Sequence, residues 1–157
     1  FDIAGPELNY LPSMYTDSFL KVKNEGINIT IHAGEGDGVH SIQEALDNGA
    51  KRIGHGVRII EDISDDNKLG PTADQILQNN IPLEVCITSN LHTNMYKNPQ
   101  DHPISRLHNL GFNISLNTDN RLMSNTSIDN ELNVAKAAGI ENPTSLLKYS
   151  TSDSFLN

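Results

Sequence analysis

A single cysteine, Cys86, among 157 residues excludes an internal disulfide and any Cys-rich zinc module. Basic side chains are scarce: 11 Lys and Arg stand against 20 Asp and Glu, for a formal net charge of −9. Binding to a phosphate backbone needs clustered cations, so DNA and RNA are not expected partners. The same scarcity argues against a polybasic membrane anchor. No apolar run approaches the roughly 18 to 20 residues of a membrane span. The start, Phe1-Asp2-Ile3-Ala4-Gly5, has neither the basic residues nor the apolar stretch of a signal peptide. The expectation is a cytoplasmic protein with no membrane attachment. That start reads instead as the end of a strand, so a piece of a longer protein is expected.

What is present is an alternation of strand-like and helix-like segments. Leu11, Met14, Tyr15, Phe19 and Val22 share one helical face, predicting a helix over 12–24 that Gly26 closes. The β-branched run Ile27 to His32 predicts a strand. Further helices are expected over 39–48 (Val39, Ile42 and Leu46 inward, stopping at Gly49), 72–78, 103–110 (ended by Gly111), 127–138 (capped by Ser127 and closed by Gly139) and 144–150. Further strands are expected over 52–55, 82–87 and 112–116, with Cys86 a small core residue. No linker divides the chain, so one domain over 1–157 is expected. Strands alternating with helices imply parallel pairing and right-handed crossovers.

Polar residues stand where the strands end: Gly5, His32, His55, Ser89 and Asp119, at intervals of 27, 23, 34 and 30 residues. Each interval is the size of one βα unit. Eight such units need roughly 230 residues, near the usual barrel length of about 250. An open doubly wound sheet and part of a (β/α)8 barrel both fit. In either, function gathers at the carboxyl ends of strands.

His32 sits at such an end, and Glu35 follows past a small Ala-Gly turn. A neutral imidazole suits zinc, and a nearby carboxyl can give or take a proton. Gly34-Glu35-Gly36-Asp37-Gly38 resembles a dinucleotide loop, but Val39 stands where the third glycine is needed. Two carboxylates would also repel a pyrophosphate. His55 lies between Gly54 and Gly56, and Asp119 offers a hard oxygen ligand in Asn117-Thr118-Asp119-Asn120. His40, His92, His102 and His108 carry no pattern and are expected at the surface. The acidic pairs Glu61-Asp62 and Asp65-Asp66 are expected to be solvated. One metal- or proton-competent group at each of several strand ends is what a mononuclear metal hydrolase needs.

Five segments together resemble the adenosine deaminase family: Asp2-Ile3-Ala4-Gly5, His32-Ala33-Gly34-Glu35, Gly54-His55-Gly56, Glu84-Val85-Cys86 and Ser115-Leu116-Asn117-Thr118-Asp119. The ending Ser-Asp-Ser-Phe-Leu is similar to that family's last helix. The resemblance implies an α/β fold, the C-terminal portion of a (β/α)8 TIM barrel from about strand four or five to strand eight, truncated before the first strands. It implies zinc-dependent hydrolysis of adenosine and deoxyadenosine to inosine and ammonia, in purine salvage. By match, His32 and Asp119 are metal ligands. Glu35 protonates purine N1, and His55 orients the attacking water and helps remove its proton. Gly5 offers its N–H to purine N3, and Asp2 and Ser89 support the ligands from behind. Asn120 replaces a carboxylate frequent in the family, and its amide can donate to purine N7. The family's His-x-His pair is missing, so the isolated chain is expected to bind zinc poorly and to turn over little. Alternatives are a related aminopurine deaminase acting on adenine or a modified adenosine, or a non-catalytic half-barrel. The expected partner is a purine nucleoside, and an open parallel sheet is expected to self-associate.

Overall fold

The computed structural model describes residues 1–147 and residue 155. The chain divides into two compact units, Phe1–Leu83 and Glu84–Asn157. The first holds strands β1 (Asp2–Ile3), β2 (Thr30–Ala33) and β3 (Arg52–His55), with helices α1 (Thr16–Asn24), α2 (Val39–Asp47) and α3 (Pro71–Gln78). β4 (Leu83–Val85) begins at the end of this unit. The second unit holds α4 (Ile87–His92), α5 (Ile104–Asn109), β5 (Ile114–Leu116) and α6 (Ile128–Ala137).

β1 pairs with β2 and β2 with β3, both in parallel, as the alternation of elements predicts. The register sets Ile31 beside Ile53, His32 beside Gly54 and Ala33 beside His55. The Ile53 N–H donates to the Pro82 carbonyl at the entry to β4, and in the second unit the Asn117 N–H donates to the Val85 carbonyl. Strand order thus follows chain order. Phe19, Ile31, Ile42, Ile53, Ile59 and Ile76 fill the core of the first unit, and Ile87, Ile104, Leu107 and Ile114 that of the second. Fully burying such a side chain is worth about 1.5–3 kcal/mol.

All six α-helices of the described residues end in the same way. A residue at positive φ follows the helix, and the N–H after it reaches back five residues to a carbonyl, over 3.0–3.2 Å. This is the Schellman closure. Gly26, Gly49, Gly111 and Gly139 supply the left-handed residue, as their place in the sequence predicts, while Asn80 and Asn94 do so for α3 and α4. The closure explains two strand starts that fall later than expected. Ile27 and Phe112 still donate to Val22 and Leu107, so β2 begins only at Thr30 and β5 only at Ile114. Ile27 is 50% exposed.

Other expectations are corrected. Ile87 does not continue a strand: Cys86 caps α4, and the Glu131 carboxylate accepts the Thr88 N–H at 3.2 Å, fixing a helical start. Met14 faces outward at 63% exposure, because the segment opens as a 3-10 turn over Pro12–Tyr15 whose tighter pitch rotates it off the α-helical face. Pro143–Leu146 forms a 3-10 turn, and the rest of the helix expected there, with most of the Ser-Asp-Ser-Phe-Leu ending, lies outside the described residues. Asp62 is not merely solvated: its Oδ2 accepts the Ala73 N–H at 2.9 Å in the first turn of α3. Ser127 caps α6 as expected, accepting the Asn130 N–H. Among the described residues, no helix is long and apolar enough to cross a membrane.

His102 is the largest departure. It is buried at 3% exposure rather than on the surface. Its Nδ1 accepts the Ile104 N–H at 3.2 Å, and its Nε2 lies 3.2 Å from the Asn90 Oδ1. This pairing fits the neutral ring with the proton on Nε2. Burial pushes its pKa down to about 3 from 6.5. The unfolded chain therefore binds a proton below pH 6.5 that the folded chain refuses until about pH 3, so stability is lost as pH falls through that window. Chemical denaturation at pH 7 and pH 5 should show a loss of about 2 kcal/mol at pH 5 from this group. In His102→Gln the pH dependence should flatten by that amount; an unchanged slope would show that His102 charges freely in the fold.

Candidate active site

Three of the expected residues meet in the first unit. β2 carries His32 to its carboxyl end, half-buried. The neighbouring position on β3 is Gly54, where a Cβ would stand 2.4 Å from His32 Cδ2. The glycine thus makes room for the imidazole to lie across the adjacent strand. His55 is 2% exposed and meets His32 edge to face, ring centroids 4.9 Å apart at 84°. The Glu35 Oε2 lies 3.4 Å from His55 Nε2. One imidazole positioned by another and by a carboxylate can accept, hold and pass on a proton.

The backbone pays for this arrangement. Among the described residues, seven other than glycine have positive φ: Asn9, Asn67, Asn80, Asn94, Asn125, His55 at 62° and Asp119 at 53°. Asparagine, aspartate and histidine are the side chains found most often in this region, and the left-handed conformation still carries strain of order 1–3 kcal/mol at each; His55 and Asp119 are the two exceptions to asparagine here. Both exceptions are residues that the sequence singles out. At His55 the conformation is held by the Gly56 N–H, which donates to the Ala33 carbonyl at 3.0 Å.

In the second unit Ser89 and Asp119 meet: the buried Ser89 hydroxyl donates to Asp119 Oδ2 at 2.7 Å. Asn120 follows, exposed, and its Oδ1 accepts the Leu122 and Met123 N–H groups at 3.2 and 3.1 Å. That leaves the amide hydrogens of Asn120 as its outward donors. Back in the first unit, Ile3, Gly5, Pro6, Tyr10, Tyr15 and His32 line an open cleft. Gly5 has φ +129°, a conformation closed to other residues, and nothing lies within 4 Å of where its Cβ would be. Asp2 is exposed on β1 beside Thr30 in the ladder.

One residue of the site is absent from the sequence reading. Glu7 is 6% exposed, and its carboxylate accepts the Glu35 N–H at 3.1 and 3.2 Å and the Asp37 N–H at 3.0 Å. The Ser41 hydroxyl reaches it at 3.4 Å. The N–H groups of the glycine-rich loop are thus turned to an anion, as in a dinucleotide loop, but the anion is a side chain of the same unit. A carboxylate directly after a Gly-Pro pair carries no pattern that would reveal this in sequence.

Imidazole nitrogen and carboxylate oxygen, from His32 and Asp119, are donor types that zinc accepts. Among the described residues no group of three or more His, Cys, Asp and Glu is arranged to hold a metal. The donors therefore fit zinc in kind, and two donors are fewer than the four of a closed tetrahedral site.

The family model for adenosine deaminase matches residues 1–146. Adenosine deaminase 1 of Streptomyces coelicolor is 48% identical over 136 residues, which cover 83% of this chain and 34% of that protein. The chain thus spans about a third of the length of this curated relative. Among solved structures, the adenine deaminase of Arthrobacter aurescens superposes with a TM-score of 0.86 at 24% identity, over 99% of this chain and 47% of that one. The N6-methyl-AMP deaminase of Arabidopsis thaliana does so with a TM-score of 0.80 at 26% identity, over 99% and 44%. The fold is α/β, a parallel-stranded portion of a (β/α)8 barrel. The chain belongs to the adenosine deaminase family.

The Gly54 contact yields a direct test. Gly54→Ala should push the His32 ring out of its place and destabilise the chain by about 1–3 kcal/mol, the usual cost of overpacking. Thermal unfolding with the NMR shifts of the His32 ring checks both effects. A normal melting temperature with an unmoved ring would contradict the packing described above.

Proposed function

We propose that the protein carrying this chain hydrolyses the 6-amino group of adenosine and deoxyadenosine, with water as co-substrate and inosine or deoxyinosine and ammonia as products. Family membership supports the reading, and one observation carries it: Glu35 and His55 stand 3.4 Å apart beside His32, at the ends of adjacent strands. His32 and Asp119 are the residues of this chain that would hold zinc, with Ser89 orienting the Asp119 carboxylate through its hydroxyl. Zinc, when bound, supplies a water acidic enough to react near neutral pH.

The chain's own residues supply the rest. His55 holds the attacking water through a ring nitrogen and takes its proton. Attack at C6 drives electron density onto purine N1, and a proton from Glu35 relieves it. The Gly5 N–H donates to N3 from the wall of the cleft, and an Asn120 amide hydrogen donates to N7. The C6–N bond then breaks as the proton held by His55 passes to the amino group, which leaves as ammonia, and the C6 hydroxyl proton returns to Glu35 as the C6 carbonyl forms. Asp2 is assigned a supporting place behind the ligands. The net charge of −9 fits a neutral nucleoside better than a nucleic acid or an anionic membrane, and fits a cytoplasmic purine-salvage enzyme.

A second reading, deamination of a modified adenosine, is favoured by the likeness to the Arabidopsis N6-methyl-AMP deaminase. Formation of inosine from adenosine and N6-methyladenosine, and of inosine 5′-phosphate from their 5′-phosphates, each assayed with the zinc-loaded complete protein, separates the two. Glu35→Gln should lower kcat on the preferred substrate by about 10²–10⁴ with KM little changed. A variant within a few fold of the parent would remove Glu35 from the chemistry. The isolated 157 residues should hold less than stoichiometric zinc by metal analysis and self-associate in sedimentation. One tightly held zinc per chain would overturn the two-donor account.

A further inference from the structure

We infer that Glu7 is a positioning residue: its buried carboxylate pins the Gly34–Gly38 loop, sets Glu35 against His55, and ties that acid to the Gly5 turn. Both carboxylate oxygens accept the Glu35 N–H, and Oε2 also accepts the Asp37 N–H and the Ser41 hydroxyl. All of these partners are donors, so an acceptor-only group is what the loop requires. The loop closes around it: a Cβ at Gly36 would stand 3.6 Å from Glu7 Cβ. Glu7 is itself held from behind, because its carbonyl accepts the Tyr10 N–H at 2.8 Å. Only Pro6 separates Glu7 from Gly5, so one short segment carries both the cleft wall and the anchor of Glu35.

Backbone N–H bonds to a carboxylate are stronger than those between neutral groups, and a misplacement near 1 Å can cost about 100-fold in rate. The side chain of Glu35 extends from a backbone that the β2–β3 ladder does not hold, since the last paired residue of β2 is Ala33. Without Glu7, nothing in the ladder fixes where that carboxyl meets His55. The catalytic part of the inference rests on the deaminase reading; the anchoring part does not.

Two measurements keep them apart. In this chain, amide hydrogen exchange of Glu35 and Asp37 should quicken about 10–100-fold in Glu7→Ala, while Ile31 and Ile53 in the ladder keep their protection. Unchanged exchange at Glu35 and Asp37 overturns the inference whatever the activity. In the complete zinc-loaded protein, Glu7→Ala should lower kcat for adenosine about 10–100-fold and KM should move less than about three-fold. Glu7→Gln, which keeps one carbonyl acceptor, should restore part of that loss; Glu7→Asp, a methylene shorter, should not. If Glu7→Ala retains kcat within two-fold while Glu35→Gln is inactive, the positioning role is wrong and the deaminase reading stands. If Glu35→Gln is fully active, that reading fails, and the exchange result alone decides whether Glu7 anchors the loop.

Discussion

Loops that follow parallel strands must end with their N–H groups satisfied, and in each unit of this chain a buried carboxylate does that work. Glu7 accepts from Glu35 and Asp37 in the first. Glu131, fully buried, accepts from Thr88 and from the Thr126 hydroxyl in the second. Each lies next to a candidate site residue: the Glu35 N–H itself donates to Glu7, and Thr88 precedes Ser89, whose hydroxyl donates to Asp119. A buried ion is costly unless its lone pairs are filled. Once filled, it is stiff, because moving the loop would strand a charge. Rigidity of these loops therefore comes from the same groups that would be most destabilising if misplaced.

The strain at His55 and Asp119 belongs to the same design. A strand ending in the ordinary extended conformation would carry the chain straight past its neighbours. A left-handed residue turns it sharply while the side chain remains at the strand end. Glycine would turn at no cost but would bring no imidazole or carboxylate. The chain accepts that strain at two positions, and the surrounding hydrogen bonds hold it there, Ala33 to Gly56 in one unit and Ser89 to Asp119 in the other.

The parts legible in sequence are those that depend on local chemistry. Four glycines announce four helix ends, Ser127 announces a helix start, and His32, Glu35, His55 and Asp119 announce strand ends. The illegible parts depend on partners distant in sequence. Glu7 reaches Glu35 across 28 residues, and Glu131 reaches Thr88 across 43. His102 looks like a loop histidine until Asn90, twelve residues earlier, meets its ring. Strands start later than composition predicts where apolar residues after a helix close that helix: Ile27 and Phe112 have β-branched or aromatic character, yet their N–H groups are already committed.

The glycine-rich loop shows how a misleading motif can be physically right in part. Gly34 to Gly38 does form a set of inward N–H groups of the kind that cradles phosphate. What decides against phosphate is charge already in place, since Glu7 fills the cradle with an oxygen pair of the same geometry. An added phosphate would have to displace a buried carboxylate that has no other donors on offer, beside the further carboxylates of Glu35 and Asp37. The same backbone geometry that elsewhere recruits a ligand here recruits a side chain, and the loop's task changes from binding an anion to holding an acid still.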